Sequence, residues 1–284
     1  MIARMAKKLK RLSPQLAALA LILAANTIIA PGFLGISFQN GRLYGSLIDI
    51  LVRAAPVAIL AVGMTLVIAT RGIDLSVGAV MAISGATAAS LIVAGYPLAI
   101  VIPVALGVGL VCGLWNGFLV AVFDIQPIIA TLILMVAGRG IAQLITEGAI
   151  LTFNNDSFAT LGSGSFLGIP VPVLIWILAG LAVGLAVRST ALGFLIEATG
   201  INRRAAMLAG VKARFLLFSV YAVSGVCAAL AGLIATADIR GADANNAGLW
   251  LELDAILAVV IGGTSLNGGR FSIMASLLGA LIIQ

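Results

Sequence analysis

The chain has 284 residues, 62% of them hydrophobic and only 9% charged, with a formal net charge of +6. Soluble globular chains carry roughly 25% charged residues, so this surface must face lipid rather than water. Histidine is absent and only two cysteines occur, so the usual base, proton shuttle and zinc ligand are missing, which argues against an enzyme or a resident metal.

In chain order, Arg4, Lys7, Lys8, Lys10 and Arg11 precede the first apolar run, and Arg188, Arg203, Arg204, Lys212 and Arg214 fall in one later stretch. By the positive-inside rule both clusters belong on the cytoplasmic side. A basic amino end before an apolar run also describes a secretory signal peptide. This run, however, leads through Asn26 and Pro31 into more membrane sequence, so a retained signal-anchor helix is expected. At about 20 apolar residues per span, candidate spans fall at 15–31, 50–70, 75–94, 98–122, 127–146, 171–187, 214–236, 254–263 and 271–284. Six of them separate the basic clusters, an even number, so both clusters lie on one side. That parity puts 32–49, 147–170 and 237–253 outside and 188–213 inside. The run after Asp254 is too short to cross before Gly262 and Gly263, and predicts a broken or re-entrant segment. The last run stops at Gln284, soon after Arg270, which predicts a chain ending inside a helix with a carboxyl-terminal part beyond it. Cys112 and Cys227 lie in apolar runs and read as small packing residues.

The sharpest interruption is GMTLVIATRGIDLSVG, Gly63 to Gly78, where Arg71, Gly72 and Asp74 separate two bilayer-length runs. Lipid cannot solvate such charges, so they occupy either a short turn or a helix break lining a polar cavity. LVIATRGIDLSVGAVMA, Leu66 to Ala82, overlays VVIGGTSLNGGRFSIMA, Val259 to Ala275, with Asp74 on Asn267, as two related broken segments would.

From Arg188 to Arg214 the chain reads RSTALGFLIEATGINRRAAMLAGVKAR: basic ends, Glu197, a turn at Gly200 to Asn202, and an Ala-rich piece closing at Gly210. Gly200 is expected to stop one helix and Asn202 to cap the next, giving a surface helix pair. An ordinary positive-inside loop would explain the charges but not the paired form. No G-x-x-x-x-G-K-[ST] motif is present, so ATP chemistry would come from a partner.

ADIRGADANNAGLWLELDAILAVVIGG, Ala237 to Gly263, gathers Asp238, Arg240, Asp243, Asn245, Asn246, Trp250, Glu252 and Asp254 at an expected outer membrane edge. Carboxylates, amides and an aromatic face suit sugar hydroxyls or a docking partner, while Trp250 alone equally suits an interfacial anchor. Within the membrane the polar candidates are Asn116, Gln126, Thr131, Arg139, Gln143 and Thr146. Arg139 and Gln143 share a helix face, where Arg139 reads as an interfacial snorkeller rather than a substrate clamp. Asn116 and Gln126 suit a translocation path or interhelical hydrogen bonding.

GMTLVIATRGIDLSVG resembles a signature of the ribose-type permeases, the membrane subunits of bacterial ATP-binding cassette (ABC) sugar importers. GRLYGSLIDILVRAAPVAILAVGMTLVIAT, IQPIIATLILMVAGRGIAQLIT and IRGADANNAGLWLELDAILAVVIGG are similar to the galactofuranose branch of that family. One departure is Arg71, where the family usually has Gly. The resemblance implies an all-α, type II-like ABC importer permease: a polytopic helical bundle with broken or re-entrant segments, about ten spans when complete, forming a single domain over 1–284. It implies 188–213 as the ATPase-coupling loop, with Glu197, Gly200, Asn202 and Gly210 as docking residues. Asp74, Asn116, Gln126, Asp238, Arg240, Asn245, Asn246 and Trp250 are the candidate path or gate. Expected partners are a cytoplasmic ABC ATPase that binds ATP and Mg, a periplasmic sugar-binding protein, a second permease copy and the sugar, with no nucleic acid and no cofactor in this chain. The expected location is the bacterial inner membrane with a cytoplasmic amino terminus. An ion-coupled secondary sugar transporter is the alternative, for which only Asp74 offers an intramembrane carboxylate. A membrane-embedded enzyme lacks a nucleophile and base.

Overall fold

The computed structural model describes residues 2–30, 32–39 and 41–284, and the side chains from residue 12 onward. The side chains of Arg4, Lys7, Lys8, Lys10 and Arg11, and Pro31, lie outside the described part. In chain order the elements are α1 (Ile2–Ile29), β1 (Ser37–Gln39), β2 (Arg42–Tyr44), α2 (Ser46–Ala69), α3 (Val77–Val93), α4 (Leu98–Ala121) and α5 (Pro127–Ile145). There follow β3 (Leu151–Thr152), α6 (Asp156–Ser163), β4 (Ser165–Phe166), β5 (Ile169–Pro170), α7 (Val171–Ser189), α8 (Leu192–Ile201), α9 (Arg203–Leu208), α10 (Ala213–Asp238), β6 (Gly241–Ala242), α11 (Leu251–Ile261) and α12 (Ile273–Ile283). Among the described residues six helices are long and apolar enough to cross a membrane: α1 over Leu12–Ile29, α2, α4, α5, α7 and α10. Each expected span coincides with one helix of this multi-pass helical bundle. Local chemistry sets the boundaries: Gly95, at φ +82°, follows α3, and prolines occupy the first turns of α5 and α7.

Three short antiparallel pairs, β1 with β2, β3 with β6 and β4 with β5, gather at one end of the bundle. Leu43 N–H bonds the Gly168 carbonyl at 3.0 Å, tying two of these ribbons together. The α8–α9 pair forms the opposite end, where Arg203 of α9 meets Asp124 of the α4–α5 connection at 2.8 Å. α1, α2, α3, α4, α5 and α7 alternate in direction, so the start of α1 lies at the α8–α9 end. Gln15 Nε2 donates to the Ile261 carbonyl there at 3.0 Å. The expected parity of the two basic stretches is thus met by the helix directions.

The 33 glycines explain how so apolar a bundle packs. On α4, Gly109, Gly113 and Gly117 recur every four residues and so form one stripe, which meets α10. A Cβ on Gly117 would lie 3.1 Å from Phe218 Cα, and one on Gly225 would lie 2.9 Å from Gly113 N. Backbones therefore touch directly, and close van der Waals contact replaces the hydrophobic drive that lipid does not provide.

α11 and α12 have 11 residues each, about 16 Å at the helical rise, which is half a crossing. They lie antiparallel, with Gly262 against Ala275 and Gly279 against Ala258. The 237–253 segment corrects the expectation of an edge loop. After β6 it descends along α5, placing Gly248 on Gly78 in the first turn of α3. Since α3 starts beside the middle of α10, α11 also begins midway through the bundle. The re-entrant form expected after Asp254 therefore starts earlier, near Asp243. Polar composition reads as surface, but here backbone and side-chain partners on α5 carry the polar groups inward.

Candidate functional site: a buried hinge and a re-entrant gate

The break between α2 and α3 is buried against the connection between α11 and α12. Gly269 N–H donates to the Ala69 carbonyl at 2.9 Å, and Arg71 Nε donates to the Asn267 carbonyl at 2.6 Å. The two overlaid sequence segments thus adopt the same helix–break–helix form and meet at their breaks. Arg71 adopts φ +65°, a left-handed conformation that favours glycine, and its side chain is exposed. It is not the partner of Asp74, and of the two arrangements left open by the sequence the buried helix break is the one observed.

Asp74 is 1% exposed and points the other way. Its Oδ1 accepts from Ser76 N (3.1 Å), Ser76 Oγ (2.6 Å) and, at 3.5 Å, Asn116 Nδ2, while Oδ2 accepts from Ser224 Oγ at 2.8 Å. Asn116 also donates to Ser76 Oγ at 2.7 Å. One carboxylate therefore ties the start of α3 to α4 and to the centre of α10. From α5, Thr131 Oγ1 accepts from Leu75 N at 3.1 Å, securing the same break. Among the described residues no cation lies within ion-pair distance of Asp74; neutral dipoles do the work, as a buried charge requires. Of the candidate path residues, Asp74 and Asn116 come together here, and Asn116 performs the expected interhelical bonding. Gln126 does not join them: it is exposed at the start of α5, near the α8–α9 end, because Pro127 opens the helix immediately after it.

The second group is the segment from β6 to α11. Arg139 of α5 donates through Nη1 to the carbonyls of Ala244 (3.0 Å) and Ala247 (2.6 Å), and Gln143 Nε2 donates to Asn245 Oδ1 at 2.7 Å. Arg139 is therefore a brace rather than a snorkeller. Its guanidinium turns inward because two carbonyls of a descending chain segment need donors. Asn246 Nδ2 donates to Asp243 Oδ2 at 2.7 Å, and Asp243 Oδ1 accepts from the backbone of Asn245 and Asn246. Trp250 precedes α11 at φ +66° and is 68% exposed, at a level midway along the bundle rather than at its rim. Asp238 and Arg240 stay at the ribbon end. Asp238 closes α10 and is exposed, while Arg240 Nη1 reaches Asp156 Oδ1 at 3.0 Å and Asn154 Oδ1 at 3.2 Å.

At the opposite end Asn202 caps α9, its Oδ1 accepting from Ala205 N at 3.0 Å, and Gly210, at φ +86°, follows the helix. Gly200 is not the helix stop that its place in the sequence implies. It stays helical inside α8, where its missing Cβ lets α8 rest on the Ala69 carbonyl and on Gly269 N, 2.7 Å from where that Cβ would fall. Glu197 lines a cavity of about 840 Å³ with Arg188, Phe194 and Trp176, between α1, α7, α8 and α12. The site also draws in Ser76, two residues from Asp74, and Ser224 and Gly269, each of the last two joined to its partner across a long stretch of chain.

A bundle of bilayer-length helices with a polar, doubly broken centre and a surface helix pair is a form suited to a membrane transport subunit. Residues 46–284 match the family described as "Branched-chain amino acid transport system / permease component", and the chain belongs to that family of permeases. It is 64% identical to the galactofuranose transporter permease of Escherichia coli (strain K12) over 95% of this chain and 80% of that protein. The fructose import permease of Bifidobacterium longum (strain NCC 2705) is 46% identical over 94% of this chain and 76% of its own length. The ribose import permease of Haemophilus influenzae (strain ATCC 51907 / DSM 11121 / KW20 / Rd) is 42% identical over 94% and 81%. No solved structure matches the chain. The chain is thus a transport component and not an enzyme.

Proposed function

We propose that this chain is the membrane subunit of an ABC importer carrying a monosaccharide, galactofuranose or a close relative, into the cytoplasm by alternating access. The family description mentions amino acids, whereas the three relatives named above carry sugar names, and the 64% identity favours the galactofuranose branch. The observation that carries the mechanism is the α8–α9 pair. It exposes Phe194 (75%) and Leu208 (91%) beside exposed Arg204, Lys212 and Arg214, while Gly200 seats its inner side on both helix breaks. An apolar tip in a basic rim suits a cytoplasmic ATPase with an apolar groove and acidic edge. ATP and Mg bind in that partner. A periplasmic binding protein delivers the sugar to the ribbon end, and a second permease copy completes the path. Asp74 and Asn116 hold the hinge, while Asn245, Asn246 and Trp250 face the sugar.

Reconstitution with the ATPase and the binding protein is expected to give galactofuranose uptake that requires ATP. Uptake driven by an ion gradient without the ATPase would instead favour the secondary carrier. In the bacterial inner membrane, cysteine introduced by Arg203→Cys is expected to react with an impermeant thiol reagent only from the cytoplasmic face, and that from Asn155→Cys only from the periplasmic face. Labelling of the residue 203 variant from outside intact cells would invert the orientation.

A further inference from the structure

The segment between Arg240 and Trp250 has the features of a hinged flap. Both bounding residues sit in the left-handed region, at φ +52° and +66°, so the chain changes direction sharply at each end. Between them the segment is held together by its own bonds: Asp243 Oδ1 accepts from Asn245 N (3.0 Å) and Asn246 N (3.2 Å), and Ala247 N donates to the Asp243 carbonyl at 2.8 Å. The Asp243–Ala247 turn is therefore a compact unit, with β6 paired to β3 before it and Gly248 resting on Gly78 after it.

Its seam with the bundle is built largely from small side chains. The buried residues there are Ala82, Ile83, Ala86 and Ala89 of α3, Ala142 of α5, and Ala244 of the segment with its neighbour Ala242. Its alanine methyl groups bury less apolar area than leucines would, although Ile83 lies among them and Ile145, Leu151 and Phe153 pack at the margin. Directional polar bonds to α5 supply the hold: Arg139 on the Ala244 and Ala247 carbonyls, and Gln143 on Asn245, one turn further along the same helix face. The two charge-assisted bonds of Arg139 are strong when made and quickly lost with a small displacement, which suits a contact with two discrete states.

We propose that Arg139 is a positioning residue for transport: it latches the 243–250 segment against α5, setting Asn245, Asn246 and Trp250 across the path, and the latch opens in each cycle. Because this rests on the importer reading above, the tests separate the two. In a Cys112→Ala/Cys227→Ala background, Gln143→Cys and Asn245→Cys are joined by a short bifunctional methanethiosulfonate that reductant removes. Cross-linking is expected to stop ATP-dependent uptake, and reduction to restore it. Uptake by the cross-linked protein at the rate of the reduced protein would overturn the latch while leaving the importer reading intact, whereas absence of uptake in the reduced protein and in its cysteine-free parent would count against the importer reading. A second measurement needs no transport. Arg139→Met is expected to raise the labelling rate of the cysteine in an Ala244→Cys variant, a position buried while the segment is closed, at least about tenfold, the equivalent of one of the two charge-assisted bonds that Arg139 makes to the segment, with Arg139→Lys in between and thermal unfolding of all three variants alike. An unchanged labelling rate in Arg139→Met would by itself reject the latch.

Discussion

Gly200→Val is expected to abolish ATPase-coupled transport, and Gly200→Ala to impair it severely. α8 lies directly on the end of α2 and on the α11–α12 connection, so any Cβ at residue 200 meets the Ala69 carbonyl and Gly269 N, backbone atoms that cannot rotate aside. Overpacking of this kind costs about 1–3 kcal/mol, and here the strain falls on the junction where the surface pair meets both breaks. The measurements are binding of the ATPase, its hydrolysis rate and sugar uptake, alongside thermal unfolding of the membrane subunit. Gly210→Ala supplies the contrast. No atom lies within 4 Å of a Cβ there, so only the left-handed backbone at φ +86° is strained, a cost of about 1 kcal/mol. Equal coupling losses in the Gly200→Ala and Gly210→Ala variants would refute the special role of the junction.

Asp74→Ala is expected to destabilise the bundle by about 2–5 kcal/mol, because several buried neutral donors are left without an acceptor, each costing about 1–3 kcal/mol before relaxation. Ser76 N–H and the side chains of Ser76, Ser224 and Asn116 would lose a common acceptor in a site that water does not reach. Asp74→Asn keeps one acceptor oxygen and is expected to cost about 1–3 kcal/mol. Arg71→Gly removes an exposed bond to the Asn267 carbonyl but relieves the left-handed backbone, so its stability should stay within about 1 kcal/mol of the parent. Because Arg71 and Asp74 share no partner, the double change Arg71→Gly/Asp74→Asn should be additive within about 0.5 kcal/mol. Thermal unfolding of the four proteins in one detergent checks this, and a coupling above about 1 kcal/mol would mean that the two residues interact after all.

The spans were legible in the sequence because bilayer depth forces long apolar runs, and the break at Arg71 to Asp74 because charge cannot remain in such a run without a reason. The α8–α9 pair was legible through Asn202 and Gly210, whose cap and left-handed turn are local. What escaped was non-local. A glycine in a helical stretch serves either a stop or a close approach, and only the Ala69 and Gly269 backbones, distant in sequence, decide that Gly200 serves the second. Ser224 is one serine among several in apolar runs, and nothing nearby in the chain says that its hydroxyl meets a carboxylate 150 residues away. Arg139 was placed on the right helix face with Gln143, but its acceptors are main-chain carbonyls, which side-chain patterns do not report. The inward course of 243–250 was hidden for the same reason: its polar residues resemble those of any surface loop.

The stripe of Gly109, Gly113 and Gly117 has a mechanical consequence. Where two backbones touch, no rotamer change can absorb a sliding or turning motion, and turning α4 by one residue, about 100°, would drive side chains into the α10 main chain. α4 and α10 must therefore travel as one beam. In the proposed cycle the moving joints then lie elsewhere, at the polar bonds and small side chains beside α5 and around the half-length pair α11 and α12, which by the same kind of backbone contact, at Gly262 and Gly279, would move as one piece against the beam.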